Sequence, residues 1–213
     1  MKKLLIITAI FLFGFTSVKA QEEVQFGVKG GLNLSTISTD SDFISFDSKA
    51  CIQFGIVAEI PISESFSFQP EILYDCLGAD YEFDDIFDLP TETTKAAADY
   101  SGTIKLSYLN IPLMAKYYVA EGFSLEAGPQ VGFLLSAKDE YEYPGDSGED
   151  DIKEHVKGID FGINIGLGYK LEGGFNFGAR YNLGLTDAND NPEELGDIYL
   201  KNRAFQVFVG YFF

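Results

Sequence analysis

The chain has 213 residues, with 20 Phe, 12 Tyr and a formal net charge of −18. Hydrophobic residues make up 46% of the composition, which excludes intrinsic disorder, and the length is that of one domain. The acidic balance argues against a nucleic-acid partner, because nucleic-acid binding requires a basic surface.

Residues 1–20, MKKLLIITAIFLFGFTSVKA, have the pattern of a secretory signal peptide. Lysines precede an apolar stretch that is too short to span a bilayer as a helix. Val18 and Ala20 occupy the −3 and −1 positions of a small-residue cleavage site, so we expect cleavage between Ala20 and Gln21. The exported domain is then 21–213. Because the removed segment contains three lysines and no acid, the formal charge becomes −21. No long apolar run follows, so no transmembrane helix is expected.

Eight stretches of the exported domain alternate between large apolar residues and glycine or polar residues. In IDFGINIGLGYKL (159–171) every odd position is apolar and every even position is glycine or polar. A period of two predicts a β-strand with two unlike faces. Each stretch is long enough to cross a bilayer as a tilted strand. In chain order the predicted strands are 24–35, 52–62, 66–76, 109–119, 123–137, 159–171, 175–185 and 205–213.

The connections between these strands alternate in length. Three are tight turns, at 63–65, 120–122 and 172–174, and four are long and polar, at 37–50, 83–102, 138–157 and 187–201. Short turns on one side and long loops on the other are typical of outer-membrane barrels with periplasmic termini. The sequence therefore predicts an all-β fold, an eight-stranded antiparallel up-and-down transmembrane β-barrel of the OmpA/OmpX kind.

The unlike faces indicate which side meets lipid. The apolar face would point outward into outer-membrane lipid, and the glycine-rich face would line a narrow lumen. The alternative is a secreted soluble barrel with an apolar interior, as in lipocalins. Its solvated face should carry many charges, whereas the even positions here are mostly Gly, Asn and Gln. We expect the membrane barrel, as a monomer.

Charged residues occupy several predicted lumenal positions. The main ones are Lys29, Glu59, Glu71, Lys116, Glu126 and Arg180, with Lys170, Asp75 and Asp160 in addition. If the turn at 120–122 pairs Val119 with Phe123, Lys116 faces Glu126, which predicts a lumenal ion pair. These groups could form an ion or proton path. We favour a polar plug, because side chains just fill an eight-stranded interior and its charges must be paired.

The chain ends in AFQVFVGYFF, with the aromatic residues Tyr211 and Phe213 on one face of the last predicted strand. An aromatic C-terminal residue preceded by alternating apolar residues resembles the signal read by the barrel-assembly machinery of Gram-negative outer membranes. This resemblance implies that machinery as a partner during insertion.

Several stretches together resemble one family. They are FGVKGGLNLS (26–35), FGIVAEIPISESFSFQPEILY (54–74), YLNIPLMAKYY (108–118), FSLEAGPQVGFLLSAK (123–138) and GARYNLGLTD (178–187). In combination they are similar to the outer-membrane β-barrel domain of Bacteroidota, the porin-family or PorT-like proteins. The resemblance implies an eight-stranded barrel in the outer membrane. It implies little about activity, because fold does not determine function.

Most of the 33 acidic residues lie in the four long loops. The loop 138–157 could bind divalent cations or a basic partner, although a solvated surface is the simpler interpretation. The segment DANDNP (187–192) has the oxygen donors of a calcium loop, but Pro192 and Ile198 replace the required glycine and glutamate. The single histidine, His155, is eight residues from Ser147, so a serine–histidine enzyme is a distant alternative.

Cys51 and Cys76 suggest a disulfide in an exported protein. They lie on adjacent predicted strands near the loop side of the hairpin. Its register leaves them close together but on opposite faces, unless a bulge shifts one strand. The sequence leaves this pairing open.

No catalytic, cofactor-binding or resident metal motif stands out in the sequence. We therefore predict a non-enzymatic integral outer-membrane barrel, without a cofactor, that has a structural or surface-interaction role. A narrow channel for ions or small solutes is one alternative, and an accessory component of a protein secretion system is another.

Overall fold

The computed structural model describes residues 23–39, 46–83, 100–143, 146–190 and 199–213. The signal peptide and the cleavage site Ala20–Gln21 lie outside the described residues. Nine strands are present in these ranges: β1 Gln25–Thr39, β2 Phe46–Ser63, β3 Phe66–Phe83, β4 Tyr100–Ala120, β5 Phe123–Tyr143, β6 Asp146–Asp151, β7 Ile159–Lys170, β8 Phe175–Gly184 and β9 Leu200–Phe212. No helix in the described ranges is long and apolar enough to cross a membrane.

Eight of the strands close into an antiparallel ring. Each pairs with its neighbour in chain order, β5 pairs with β7, and β9 pairs with β1 to complete the circle. A path that starts at Ile60 of β2 and moves from each residue to its paired neighbour round the ring returns to β2 at Ala50. The strands are therefore staggered by ten residues over one full circuit of the barrel. A stagger of this size requires strands tilted by roughly 35–45°. The predicted fold class is therefore confirmed.

Alternation along each strand sorts the side chains between two environments. On β7, Ile163 and Ile165 are 40% and 56% exposed, whereas Asn164 between them is fully buried. The same pattern makes an apolar outer band round the barrel and a polar interior. Because the ring is closed, its backbone has no sheet edge within this band.

Two of the tight turns depend on glycine. Gly122 and Gly174 have φ values of 72° and 87°, in the region that favours glycine. A Cβ at either position would also lie within 2.4 Å of a neighbouring backbone oxygen. These turns connect β4 to β5 and β7 to β8 with two and four residues, as the sequence predicts for the periplasmic side.

The long connections are shorter than predicted, because several strands continue beyond the outer apolar band. The prediction of a loop over 138–157 is wrong: β5 runs to Tyr143 and β6 pairs back on it over Asp146–Asp151. A 3₁₀ turn at Lys153–His155 follows. Similarly, β1 extends to Thr39 and β2 begins at Phe46, inside the predicted loop 37–50. The centres of the other two predicted loops lie outside the described residues.

Candidate functional site: the filled lumen and the extracellular sheet

The centre of the lumen is a buried ion-pair cluster on Arg180. This guanidinium donates two hydrogen bonds to Glu71, at 2.9 and 3.0 Å, and one to Glu126 at 3.1 Å. Lys29 donates to the same Glu71 carboxylate at 3.0 Å. Gln69 also donates to Glu71, at 2.7 Å. Strands from both sides of the ring are thereby joined across the lumen by charge-assisted bonds.

From this cluster a second set of ion pairs leads towards the periplasmic mouth. Lys116 lies opposite Glu126, as the turn register predicts, with Nζ 3.5 Å from Oε1. The Lys116 ammonium is also 3.6 Å from Glu59 and donates to Gln69 at 3.1 Å. Glu59 in turn accepts from Lys170 at 2.9 Å, at the edge of a periplasmic cavity of about 640 Å³. Tyr118 also donates to Glu59.

Two aromatic rings of β9 support this ion-pair network, which consists of Lys29, Glu59, Glu71, Lys116, Glu126, Lys170 and Arg180. Lys29 Nζ lies 3.7 Å from the ring centre of Phe208, and Lys170 Nζ lies 4.5 Å from that of Phe212. Both rings face inward, unlike the other large apolar residues of the terminal strand. The cations are therefore compensated by ring faces as well as by carboxylates. Sequence reasoning missed both aromatic partners.

Above the network the lumen contains amides and two carboxylates. Asn33 and Asn110 donate to the two oxygens of Asp75 at 3.0 and 2.7 Å. Asn202 donates to Asp160 at 3.2 Å. The predicted lumenal positions Asp75 and Asp160 are thus hydrogen-bonded by neutral donors.

The extracellular end of the lumen is closed by an apolar cluster that the sequence analysis did not identify. The apolar cluster contains Leu77, Leu106, Tyr108, Leu134, Ala137 and Ala204. Ile152 and Val156, on either side of the 3₁₀ turn, pack against it from above. Extending the period of two backwards along β4 from Asn110 would have placed Tyr108 and Leu106 inside. The predicted strand began too late to include them.

Cys51 and Cys76 are joined by a disulfide, with their Cα atoms 5.4 Å apart. The paired residues of β2 and β3 shift register between Ser48 and Gln53, on the segment that contains Cys51. This irregularity brings the two sulfur atoms together despite the register of the rest of the hairpin.

At the C-terminus, Tyr211 and Phe213 lie on the outer face, 39% and 74% exposed. The backbone N–H of Phe213 donates to the carbonyl of Phe26 at 3.0 Å, which joins the chain end to β1.

Beyond the apolar band, β3, β4, β5 and β6 form a sheet that projects on the loop side. Lys105 pairs with Glu140, and Lys138 lies 2.5 Å from Glu149. A cleft of about 600 Å³ lies on this sheet. Its lining includes Asp80, Tyr81, Glu140, Tyr141, Glu142 and Glu149. Among the described strands β6 pairs with β5 alone, so its other edge is open.

One carboxylate of this extracellular sheet lies in a half-buried position. Tyr81 donates to both oxygens of Asp139, at 2.8 and 3.0 Å. Burial raises the pKa of the Asp139 carboxyl, and this effect outweighs the Tyr81 hydrogen bond, which lowers it. Asp139 lies past Leu135, the last strongly exposed apolar residue of β5, and so outside the membrane-spanning part of the strand.

Within the described part of the chain, the other candidate residues from the sequence analysis do not come together as a site. His155 lies in the 3₁₀ turn and Ser147 lies in β6. Asp187 accepts backbone hydrogen bonds from Asn189 and Leu200, and residues 191 and 192 lie outside the described residues. No group of three His, Cys, Asp or Glu side chains suited to a metal ion occurs in the described ranges. The divalent-cation site stays a prediction.

Comparison with known proteins relates this geometry to outer-membrane barrels. The structure is similar to Ail, the attachment invasion locus protein of Yersinia pestis, with a TM-score of 0.50 and 14% identity, over 90% of this chain and 100% of that one. It is also similar to a major outer membrane protein of Thermus thermophilus, with a TM-score of 0.55 and 12% identity, over the same shares. At these identities the likeness shows the fold alone. No curated protein sequence matches the chain.

The family model for the outer membrane protein β-barrel domain matches residues 19–190. This match spans most of the chain and agrees with the closed ring of eight strands. The chain therefore belongs to the outer membrane protein β-barrel domain family.

Proposed function

We propose that this protein is a non-enzymatic, non-conducting outer-membrane barrel that presents an acidic extracellular sheet to a cationic partner. The observation that carries the proposal is the contrast between a filled lumen and a sheet that projects beyond the membrane. Described side chains fill the lumen at both ends, whereas the sheet offers a cleft, a strand edge that no other described strand pairs with, and many carboxylates.

The closed lumen is supported by two barriers of different chemistry. The ion-pair network fills the periplasmic half, where Arg180, Lys116 and Glu71 are each 1% exposed. The apolar cluster fills the extracellular end, where Leu106 is 2% exposed. Ions would have to separate buried ion pairs and then cross an apolar constriction, and both steps are costly.

Planar-bilayer conductance of the refolded exported domain tests this point. We expect no single-channel steps from a barrel whose folding is verified by its heat-dependent gel shift. Steps that change in Lys116→Ala or Arg180→Ala would overturn the closed-lumen proposal and support a narrow pore. Arg203→Ala, on the exposed face of β9, is the matched control. Steps that none of these substitutions changes, and that recur in independently purified preparations, would also contradict a non-conducting barrel.

The cationic partner is inferred from the charge and shape of the extracellular sheet. Ail is described in complex with a heparin analogue, sucrose octasulfate, which is a polyanion. A polyanion would meet carboxylates here, including Glu142, Asp146 and Asp150, so a partner of opposite charge suits this surface. Tyr141 lines the cleft and adds an aromatic ring that can contact cationic groups.

A fluorescent octalysine peptide and the detergent-solubilised barrel provide the test. We expect saturable binding that weakens as salt rises, and about tenfold weaker binding after Glu140→Gln, Glu142→Gln and Glu149→Gln are combined. The control combines Glu64→Gln, Glu121→Gln and Glu172→Gln, which removes the same charge from the periplasmic turns. If both triple variants lose peptide affinity equally, binding depends only on the net charge of the protein. That result would contradict a binding surface on the sheet.

We also infer that residues 1–20 direct export and that Tyr211 and Phe213 direct assembly into the outer membrane as a monomer. The resemblance to PorT-like proteins of Bacteroidota supports an origin in that group. An accessory role in a protein secretion system stays a prediction, and loss of secreted products after gene deletion would test it.

A further inference from the structure

The lipid-facing wall contains a local depression between β2 and β3. It is a groove of about 450 Å³, lined mainly by apolar side chains. Its outward-facing lining comprises Phe26, Val28, Ile56, Ala58, Pro70, Ile72, Ile111 and Phe213. We call this set the Ala58–Pro70 groove. It forms because two small residues occupy outward positions at which both strands otherwise carry large side chains.

The ladder between β2 and β3 also lacks paired residues here. Pro70 has no N–H, so it cannot donate a ladder hydrogen bond in the middle of a sheet. The paired residues of β2 and β3 pass from Val57 and Glu71 directly to Ile60 and Phe68. Ala58 and Pro70 lie in this interval. Val57 and Glu71, whose side chains face the lumen, also contribute to the groove lining.

The position of the groove identifies the leaflet that it faces. Ala58 is five residues from the end of β2 at the periplasmic turn, which is a depth of roughly 13 Å for a tilted strand. One leaflet contributes about 15 Å of hydrocarbon. The groove therefore opens onto the acyl chains of the periplasmic leaflet.

We propose that the Ala58–Pro70 groove binds one acyl chain of a periplasmic-leaflet phospholipid. A flexible hydrocarbon chain suits a depression walled by Phe26 and Phe213 towards the periplasm and by Ile72 and Ile111 towards the membrane centre. It would fill space that the side chains leave open and would gain dispersion contacts with the groove lining.

The absence of tryptophan from the sequence permits a direct test. Ile72→Trp places a single reporter in the groove, and Leu167→Trp places one on β7, on the other side of the barrel. Each exported-domain variant is folded in dodecyl maltoside and titrated with phosphatidylethanolamine that carries brominated acyl chains, which quench tryptophan on contact. We expect half-maximal quenching of the groove reporter at an approximately fourfold lower lipid-to-detergent ratio, the factor that one additional buried methylene contributes.

A filling substitution and its matched control separate the groove from the general surface. Ala58→Leu should abolish the preference of the Ile72→Trp reporter, whereas Ala127→Leu, at a similar depth on β5, should leave it unchanged. The heat-dependent gel shift verifies that each variant is folded. Equal quenching curves for the two reporters would overturn the proposal. A groove reporter that lipid never quenches would also overturn it, because a second copy of the chain would then cover the groove.

Discussion

The two ends of the lumen are lined by the same eight strands but are filled by different chemistry. The ion-pair network occupies the periplasmic half, and the apolar cluster occupies the extracellular half. In the network every charge requires a partner, so the loss of one side chain leaves another charge buried and uncompensated. In the cluster each side chain requires only neighbours of the right shape, so a loss leaves a cavity. The same barrel should therefore respond differently to substitutions at its two ends.

The largest effect is expected at the centre of the ion-pair network. Arg180→Met keeps much of the side-chain volume but leaves Glu71 and Glu126 without their guanidinium partner. We expect the free energy of unfolding to fall by about 3–5 kcal/mol. Urea titration in lipid vesicles, followed by the gel shift of unheated samples, measures it. Arg203→Met, which removes an exposed arginine from β9, is the control and should change stability little. An equal loss in both variants would contradict the central role of Arg180.

A smaller loss is expected in the apolar cluster. Leu106→Ala leaves a cavity near the extracellular mouth and should reduce the free energy of unfolding by about 2–3 kcal/mol. We expect the barrel to remain electrically silent, because the ion-pair network still fills the other half. Leu109→Ala on the outer face of the same strand is the comparison, since lipid can occupy the vacated volume there. A greater loss for Leu109→Ala would show that the cluster does not contribute to stability.

The smallest effect is expected outside the membrane, where water screens charges. Because burial raises the pKa of Asp139 in the folded state, the folded protein binds this proton more tightly than the unfolded chain does. Folding is therefore favoured as pH falls through the raised pKa and is disfavoured above it. Asp139→Asn mimics the neutral form and accepts the Tyr81 hydrogen bond, so it should be slightly more stable than the parent at pH 7.

The denaturation midpoints of the parent and Asp139→Asn, compared between pH 7 and pH 4, measure this effect. The difference should shrink as the pH falls from 7 towards 4, because the parent carboxyl takes up its proton more readily in the folded state than in the unfolded chain. A difference in denaturation midpoint that grows towards pH 4 would contradict a raised pKa for Asp139 in the folded state.

Periodicity predicted the barrel well because a strand in a closed ring has only two environments. Every outward position meets lipid and every inward position meets the lumen, so alternation alone separates Ile165 from Asn164. Lys116 also lies opposite Glu126 as predicted, although Phe123 pairs with Ala120 and not with Val119, and a register shift next to Tyr118 restores the predicted pairs. The sequence analysis missed the apolar cluster because alternation assigns apolar residues to the outer face. Leu106 and Leu134 point inward, although their side chains are of the apolar type found at outward positions.

The sequence by itself determined the eight strands of the ring, their outward and inward faces, and which strands are joined by tight turns, because each follows from local alternation and turn length. Only the tertiary structure decided which lumenal charges meet, because Arg180 and Glu71 are 109 residues apart and meet only when the ring closes. It also decided that β5 and β6 continue as a sheet and that Cys51 reaches Cys76. These features depend on strand stagger and local register shifts, which side-chain alternation does not encode.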